Sequence, residues 1–361
     1  MTKRHTCATR KSHNNRNRHI EDVWLRCAIP LVLCFFVTQR AIAQFSPGKT
    51  WRDVNGNPIQ AHGGGMLLYR NVYYWFGEDR TPDIYSAVAC YSSTNLTHWK
   101  REGVALWRRN LPKANGHRPF VERPKVIYNP ATKKFVMWMH LDQDRYQFSR
   151  AGIAISDTPI GPFTFIRAIR PIADTNDFSA TDPAAQNIYG GTFRDMNLFV
   201  DDDGKAYVFY SSAGNWTMYV VRLNDDFTGS ETPAVENKTW ARILTRRMRE
   251  GPAPFKWHRK YFLITSACTG WAPNAANYSS ADNILGPWRT FGNPCAGPGA
   301  DKTFDSQSTF VLPAPGRANE FIFMADRWNP ENLPDSRYVW LPFTMQSGGT
   351  FKIPWRDRWS L

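Results

Sequence analysis

Cysteine is scarce in this chain, with six residues among 361, and three of them lie in the first 34 positions. A small fold stapled by several disulfides is therefore excluded, and a hydrophobic core has to hold the structure together. Cys90, Cys268 and Cys295 remain, which allows at most one intramolecular disulfide. Cys268 and Cys295 are the pair closer in sequence, and geometry decides whether they bond.

Long hydrophobic runs are also missing. The apolar run at residues 27–37 has 11 residues, whereas a membrane-spanning helix needs about 20. A basic segment precedes this run and Ala41-Ile-Ala43 follows it, which is the layout of a secretory signal peptide. We therefore expect residues 1–43 to be removed as a signal peptide and the protein to be secreted or periplasmic, free of the membrane. An uncleaved anchor is the alternative.

Uninterrupted helical segments are absent as well, because 25 prolines and 24 glycines punctuate almost every stretch of the chain. No Gly-X-Y or heptad period indicates a fibre, and a content of 42% hydrophobic and 14% aromatic residues is too high for disorder. An aromatic-rich globular protein dominated by strands remains.

Motifs for metals and cofactors are lacking too. We find no Cys/His spacing suited to zinc, no Gly-x-Ser-x-Gly nucleophile elbow and no phosphate-binding loop. The acidic turn at residues 201–204 lacks the further ligands of a calcium loop. We therefore expect neither a metal nor a cofactor, with a structural calcium ion left open.

Acidic residues are outnumbered by basic ones. The chain carries 45 Lys and Arg against 31 Asp and Glu, a net charge of +14, which falls to +8 without residues 1–43 because that segment holds eight basic and two acidic residues. We interpret the arginine cluster at residues 242–249 as a solvated edge. No nucleic-acid partner is therefore expected.

The chain does contain one pattern repeated five times. In each copy a polar residue opens an apolar strand, a turn follows, and an aromatic-rich strand returns; the openers are His62, Glu122, Asp195, Glu250 and Gln307. Further short strand pairs give four strands per repeat. Five such repeats predict an all-β fold, a five-bladed β-propeller. Two β-sandwiches would explain the strands but not the regular recurrence of the openers.

The first strand of each propeller blade lines the central channel, so the five openers should meet in one ring. Three carboxyl groups and an amide around one pocket suit glycoside hydrolysis. That reaction needs a carboxylic acid with a raised pKa and a second group that activates water or attacks the sugar. Crowded like charges raise such a pKa without a metal ion. Trp271 and Trp328 are candidates for stacking on sugar rings.

The same segments resemble glycoside hydrolase family 43, and within it the exo-β-1,3-galactanase branch (galactan 1,3-β-galactosidases). The resemblance covers about residues 50–355, and the order and spacing of its motifs make it specific. The motifs are AHGGG (61–65), YYWFGE (73–78), ERPKV (122–126), YN (128–129), RDMNLF (194–199), DDG (202–204), EGPAP (250–254), TGWAPN (269–274), SQS (306–308), DRW (326–328) and DSRYVWLP (335–342).

The resemblance implies catalytic roles for four of the openers. Glu250 matches the general acid, Asp195 matches the carboxylate that tunes that acid and orients the substrate, and Glu122 matches a further catalytic carboxylate. Gln307 matches a glutamine that acts as an unconventional base or positions the water. The aspartate base common in the family is missing, since His62 and three glycines stand in its place.

The resemblance also implies a set of substrate-binding residues. Residues 44–361 are expected to form one monomeric catalytic propeller without an appended carbohydrate-binding module. It would act on a polysaccharide or oligosaccharide with inversion of the anomeric configuration. A β-xylosidase or α-arabinofuranosidase of the same family is one alternative, and a propeller lectin that binds glycans without cleaving them is another. The expected substrate contacts are His62, Glu78, Asn197, Trp271, Asn274 and Trp328.

Overall fold

A computed structural model describes residues 44–81, 87–114, 116–173 and 191–361. The predicted signal peptide, residues 1–43, lies outside this part of the chain. The strands form an all-β, five-bladed propeller, so the fold class predicted from the repeats is confirmed. Within the described ranges, no helix has the length and apolar character needed to cross a membrane.

The strands follow one another around the propeller in chain order, and each blade is an antiparallel sheet. After β1 (Gln44–Phe45), blade I contains β2 (His62–Tyr69), β3 (Val72–Asp79), β4 (Ala87–Ser93) and β5 (Lys100–Leu106). Blade II contains β6 (Phe120–Asn129), β7 (Lys134–Asp142), β8 (Arg150–Ser156) and β9 (Thr164–Ile169). Blade III contains β10 (Met196–Val200), β11 (Ala206–Ser212), β12 (Thr217–Arg222) and β13 (Trp240–Ile243). Blade IV contains β14 (Arg249–Trp257), β15 (Lys260–Ala267), β16 (Asn277–Ala281) and β17 (Arg289–Gly292).

Blade V has three strands, so the prediction of four strands per repeat is wrong for the fifth repeat. After β18 (Cys295–Ala296), this blade contains β19 (Gln307–Pro313), β20 (Glu320–Arg327) and β21 (Arg337–Thr344). The chain then leaves the blade, because β22 (Ile353–Pro354) pairs with β18 and β23 (Trp359–Ser360) pairs with β1. The helices of the described residues are short 3₁₀ turns at Arg108–Asn110, Asp144–Tyr146, Ala300–Lys302 and Leu333–Asp335.

In the described part of the chain, five buried hydrophobic clusters fill the spaces between neighbouring blades. Between blades V and I, Trp75 and Trp340 approach to 4.8 Å between ring centroids. Phe45 of β1 stacks on Trp359 of β23 at 4.1 Å, which closes the ring of blades. One blade alone cannot bury both of its faces, so the aromatic excess of the sequence stabilises the fold by filling these interfaces.

The cysteines contribute no cross-link in the described part of the chain. Cys90, Cys268 and Cys295 are all free thiols, so the Cys268–Cys295 bond that the sequence allowed does not form. Cys90 and Cys295 are buried within separate hydrophobic clusters. Their packing, rather than a bond between them, contributes to the core.

Each inner strand begins within two residues of its opener, and most of these strands are irregular just beyond it. A register shift follows the opener in blades I, II, IV and V. In three of these blades the residue after the opener has left-handed backbone geometry, with φ of 56° at Gly63, 53° at Arg123 and 59° at Gly251. Such bulges re-aim side chains next to functional sites, and here they lie at the end of the channel where the openers meet.

Candidate active site

Four of the five openers line one pocket at the end of the channel. Glu122, Asp195, Glu250 and Gln307 come from four different blades, and the cavity between them has a volume of about 300 Å³. The predicted convergence of these four side chains is therefore observed. The remaining walls are built from Glu78, Arg80, Arg123, His140, Tyr146, Arg194, Asn215, Cys268, Gly270, Trp271 and Trp328.

Glu250 is held as a neutral acid. Its Oε1 accepts a hydrogen bond from Gln307 Nε2 at 2.9 Å, and its Oε2 accepts one from Asn215 Nδ2 at 3.1 Å. Burial raises the pKa of Glu250 to about 8 and the negative charge of Asp195 adds to the effect, while Arg123 opposes it. This carboxyl therefore carries a proton at neutral pH, which is the state that a general acid needs.

Asp195 is fixed beside that acid by two donors. Its Oδ2 lies 2.9 Å from Arg123 Nη2 and accepts the backbone N–H of Gly251 at 3.0 Å. Gly251 directly follows Glu250 in the chain, so the two carboxyl groups are held close together. The charge of Asp195 consequently disfavours the ionised form of Glu250.

Gln307 has both ends of its amide engaged. Its Oε1 accepts hydrogen bonds from Arg123 and, at 3.0 Å, from Trp328 Nε1. Its Nε2 donates to Glu250 Oε1 at 2.9 Å and to Ser266 Oγ at 3.0 Å. The side chain therefore connects the acid on blade IV to the arginine on blade II.

Glu122 is held as an ionised carboxylate. Its Oε1 accepts a hydrogen bond from the Tyr146 hydroxyl at 3.1 Å, and its Oε2 lies 3.1 Å from His140 Nδ1. Burial alone would raise the pKa of Glu122, but the hydrogen bond and charge of His140, with help from Arg80 and Arg123, lower it below its ordinary value. The pKa values of Glu122 and Glu250 are thus moved in opposite directions, the pattern of an acid–base pair.

His140 keeps Glu122 in that state. Its Nε2 lies 2.8 Å from Asp142 Oδ2, and the Ser149 hydroxyl also donates to Asp142 at 2.8 Å. Burial opposes protonation of His140, but hydrogen bonds and charges from Asp142 and Glu122 raise its pKa to about 9. At neutral pH the ring is therefore an imidazolium between two carboxylates.

One group of side chains in the pocket has the spacing of a metal site. Glu122, His140 and Asp195 each offer a ligand atom, and these atoms lie within 4.8 Å of one another. A metal requires a neutral imidazole with an available nitrogen. His140 Nε2 is bonded to Asp142 and Asp195 is paired with Arg123, while His140 Nδ1 lies 3.1 Å from Glu122 Oε2 without a hydrogen bond. The ion pairs of His140 and Arg123 therefore compete with a bound cation for these carboxylates.

Glu78 reaches the pocket from the second strand of blade I, where its Cα pairs with that of His62. Its Oε1 accepts the backbone N–H of Arg123 at 2.9 Å, and its Oε2 contacts Arg80. Burial raises the pKa of Glu78, and the charge of Arg80 opposes that effect. The Glu78 carboxylate fits here because Gly63 has no side chain. A Cβ at that position would lie 2.4 Å from Glu78 Oε1.

Gly63→Ala should reduce the free energy of unfolding by about 1–3 kcal/mol more than Gly204→Ala does. Both glycines have positive φ, 56° and 80°, so both variants carry backbone strain. A Cβ on Gly204 meets no heavy atom within 4 Å, whereas one on Gly63 collides with Glu78. Urea unfolding followed by circular dichroism measures the difference, and equal losses in the two variants would contradict the steric argument.

The structure places His62 and Asn197 behind the pocket wall, which corrects the expectation that they contact substrate. Both side chains are fully buried. His62 stacks on Tyr338 with 5.0 Å between ring centroids. Asn197 Nδ2 donates to the carbonyl oxygens of Pro252 and Thr309, both at 2.9 Å. Asn197 therefore ties three blades together at the axis.

The amide of Asn274 is used within its own loop. Its Oδ1 accepts the backbone N–H of Ala267 at 2.8 Å, and its Nδ2 donates to the Ala267 carbonyl at 3.0 Å and to Thr269 Oγ1 at 2.7 Å. It lines a neighbouring cavity that shares Gly270, Trp271, Gln307 and Trp328 with the 300 Å³ pocket, so its contact with substrate stays a prediction. Its role is to hold the loop that carries Trp271.

Trp271 and Trp328 form the aromatic part of the pocket wall. Their rings meet edge to face with centroids 5.5 Å apart. Trp271 is 45% exposed, while the indole N–H of Trp328 is bonded to Gln307. Stacking of a sugar on these rings stays a prediction.

Arg123 and His140 are two pocket residues that the sequence reasoning missed. His140 is the Cα partner of Glu122 across the β6–β7 pair, so a search of the position opposite each opener would have found it. Arg123 has no such signal, because its importance depends on a left-handed backbone and on partners in other blades. The further unpredicted pocket residues are Arg80, Tyr146, Arg194, Asn215, Cys268 and Gly270.

A carboxyl with a raised pKa and a carboxylate with a lowered pKa, both in a pocket at the end of a propeller channel, form an arrangement suited to glycoside hydrolysis. Comparison with protein families leads to the same class. The chain belongs to the glycosyl hydrolases family 43, whose profile matches residues 65–296. It is therefore a glycosidase.

Solved structures agree with this assignment. The family 43 β-1,3-galactosidase BT3683, solved with galactodeoxynojirimycin, is 41% identical with a TM-score of 0.78, over 88% of this chain and 100% of that chain. The exo-β-1,3-galactanase from Clostridium thermocellum is 35% identical with a TM-score of 0.77, over 88% of this chain and 66% of that one. The exo-β-1,3-galactanase from Phanerochaete chrysosporium, solved with galactose, is 34% identical with a TM-score of 0.74, over 88% of this chain and 68% of that one. No curated protein sequence matches the chain.

Proposed function

We propose that this glycosidase is an exo-acting galactan 1,3-β-galactosidase that releases galactose from β-1,3-galactan and arabinogalactan backbones. The catalytic part rests on one observation, the pairing in one pocket of Glu250, whose pKa is raised to about 8, with Glu122, whose pKa is lowered. The choice of galactan is supported by the β-1,3-galactosidase and the two exo-β-1,3-galactanases to which the chain is similar.

In the proposed reaction Glu250 protonates the glycosidic oxygen as the bond to the anomeric carbon breaks. Water attacks that carbon from the opposite face, and its proton passes to Glu122, so the two carboxyl groups exchange protonation states over one turnover. Asp195 keeps the proton affinity of Glu250 high before the reaction. Attack from the opposite face inverts the anomeric configuration.

The proposal is tested by incubating the purified protein with β-1,3-galactan, β-1,3-galactobiose and aryl glycosides of β-xylose and α-arabinofuranose. We expect galactose as the released sugar. Pentose release without galactose, or saturable galactan binding without turnover, would overturn the proposal. Proton NMR in the first minutes should show α-galactose before its mutarotation, and β-galactose appearing first would contradict inversion.

We expect no requirement for a metal ion in this reaction. Treatment with EDTA followed by dialysis should leave kcat and Tm unchanged, because the ion pairs of His140 and Arg123 already neutralise the pocket carboxylates. Protein dialysed without EDTA is the control. Loss of activity that added calcium restores would contradict this expectation.

We also propose that the enzyme is exported and acts as a monomer. The basic segment, the 11-residue apolar run and the Ala-Ile-Ala sequence support cleavage after Ala43. The first described strand begins at Gln44 and pairs with β23, so cleavage there leaves the ring closure intact. N-terminal sequencing of exported protein should read Gln-Phe-Ser-Pro, and light scattering should give the mass of one chain. An intact N-terminus in the membrane fraction, or a dimer mass, would contradict these proposals.

A further inference from the structure

Arg123 has a backbone conformation that its residue type disfavours. It occupies the position after the opener of blade II with φ of 53°, where blades I and IV have Gly63 and Gly251. Non-glycine residues in the left-handed region are strained and persist where surrounding contacts over-determine them, often at functional sites. The side chain is 7% exposed, so a charged group is buried here at a strained position.

The contacts of Arg123 reach three other blades. Its Nη2 lies 2.9 Å from Asp195 Oδ2 and also donates to Gln307 Oε1, and its backbone N–H donates to Glu78 Oε1 at 2.9 Å. The guanidinium carbon lies 5.6 Å from the centre of the Trp328 ring. A planar fork of donors suits such a hub, because its directions are fixed by the guanidinium itself.

The partners of Gln307 allow only one orientation of its amide. Arg123 and the indole of Trp328 are donors without acceptor capacity, so they require the amide oxygen. The NH₂ group then points to Glu250 Oε1 and Ser266 Oγ. Turning the amide over would place NH₂ against two N–H donors and its oxygen against the Glu250 carboxyl.

We propose that Arg123 is a positioning residue that fixes the amide of Gln307, so that Gln307 acts as an N–H donor to Glu250 and not as a base. This inference rests on the proposed function, in which Glu250 is the proton donor. To act as a base the amide would need its imidic acid form, with O–H on the oxygen and a free lone pair on nitrogen. The oxygen already receives two N–H donors, and both hydrogens on the nitrogen have acceptors.

The first consequence concerns Glu250. Its Oε1 accepts the amide N–H of Gln307, and its Oε2 accepts the amide N–H of Asn215. The titratable and charged groups around this carboxyl are Asp195, Arg123, Cys268 and, on its own strand, Arg249. Loss of the N–H donor from Gln307 removes a contact that stabilises the ionised form of Glu250, so the pKa of Glu250 should rise.

Gln307→Glu distinguishes a role of Gln307 as a base from its role as an N–H donor to Glu250. A carboxylate is a stronger base than an amide but cannot donate to Glu250, and it adds a like charge beside it. We expect kcat to fall roughly 10²-fold or more, with KM within about threefold. A kcat within threefold of wild type would overturn the proposal, because it would show that a base at this position supports the reaction.

Arg123→Lys tests the anchor itself, since lysine keeps the charge beside Asp195 but lacks the planar fork. We expect kcat to fall roughly 10-fold to 100-fold and the alkaline limb of the kcat/KM profile to move upward. If Arg123→Lys does not fold, Trp328→Phe replaces it in the test. This substitution removes only the second donor to Gln307 Oε1 and should shift the alkaline limb in the same direction. Unchanged pH profiles in the folded variants would overturn the proposal.

A readout without substrate separates this proposal from the proposed function. The Glu250 carboxyl is titrated by ¹³C NMR in protein labelled at glutamate, with Glu250→Gln used to assign its signal. We expect its pKa to rise by about one unit in Gln307→Glu and by less in Arg123→Lys. If the wild type cleaves no galactan but these shifts appear, the proposed function fails and the positioning role stands. If galactan is cleaved and the pKa of Glu250 is the same in both variants, the positioning role fails.

Discussion

Glu250→Gln should lower kcat on β-1,3-galactobiose by roughly 10²- to 10⁴-fold, the range expected when a general acid is lost. The amide has nearly the shape of the carboxyl and can keep a contact with Gln307, but it has no proton to give to the leaving oxygen. An aryl β-galactoside whose leaving group is a weak base should lose much less, because departure of that group needs little protonation. Initial rates with both substrates measure the contrast.

The pH dependence provides the matching control for that variant. Burial and the charge of Asp195 raise the pKa of Glu250 to about 8, and only the protonated form is active. Wild-type kcat/KM should therefore fall as the pH rises through about 8, and the variant should lack this alkaline limb. Glu320→Gln, at a surface glutamate paired with Arg317, should behave as wild type. Full activity of Glu250→Gln on galactobiose would remove Glu250 from the mechanism.

Glu122→Gln should lower kcat by roughly 10²- to 10³-fold. The substitution removes the carboxylate that receives the water proton and leaves the His140 imidazolium with Asp142 as its remaining carboxylate partner. Since His140, Arg80 and Arg123 lower the pKa of Glu122, the wild type should lose activity only as the pH falls below the ordinary range of a glutamate. The variant should lack that acidic limb.

Tyr146→Phe is the matched control for Glu122. It removes the 3.1 Å hydrogen bond to Glu122 Oε1 but leaves the carboxylate and its pairing with His140 in place. We expect a loss of kcat of no more than about tenfold and a small rise in the pKa of the acidic limb. A Glu122→Gln variant with the activity and pH profile of Tyr146→Phe would show that Glu122 is not the base.

The positions of the four convergent side chains were predictable because each rests on a local pattern. Glu122, Asp195, Glu250 and Gln307 open strands of the same phase, and equivalent strands of a propeller line the same channel. The same pattern placed His62 correctly at the start of β2 but not its environment. The His62 side chain is buried against Tyr338 beside the bulge at Gly63. Glu78, from the neighbouring strand, lines the pocket where His62 was expected.

Other features depended on contacts that no local pattern contains. Asn197 was expected at the substrate, but the carbonyl groups of Pro252 and Thr309 use its amide. The fifth blade stops at three strands because the chain beyond β21 pairs with β18 and β1. In each case the deciding partner is remote in sequence.

The amino-acid sequence alone determined the fold class, the residue near which each of the five inner strands begins, and the meeting of the carboxyl groups. It could do so because strand periodicity and turn chemistry act over a few residues. Only the tertiary structure decided which carboxyl keeps its proton and which stays ionised. Those states depend on burial and on the distances from Arg123 and His140, and electrostatic energies vary with the spacing of charges in the folded chain rather than with their separation in sequence.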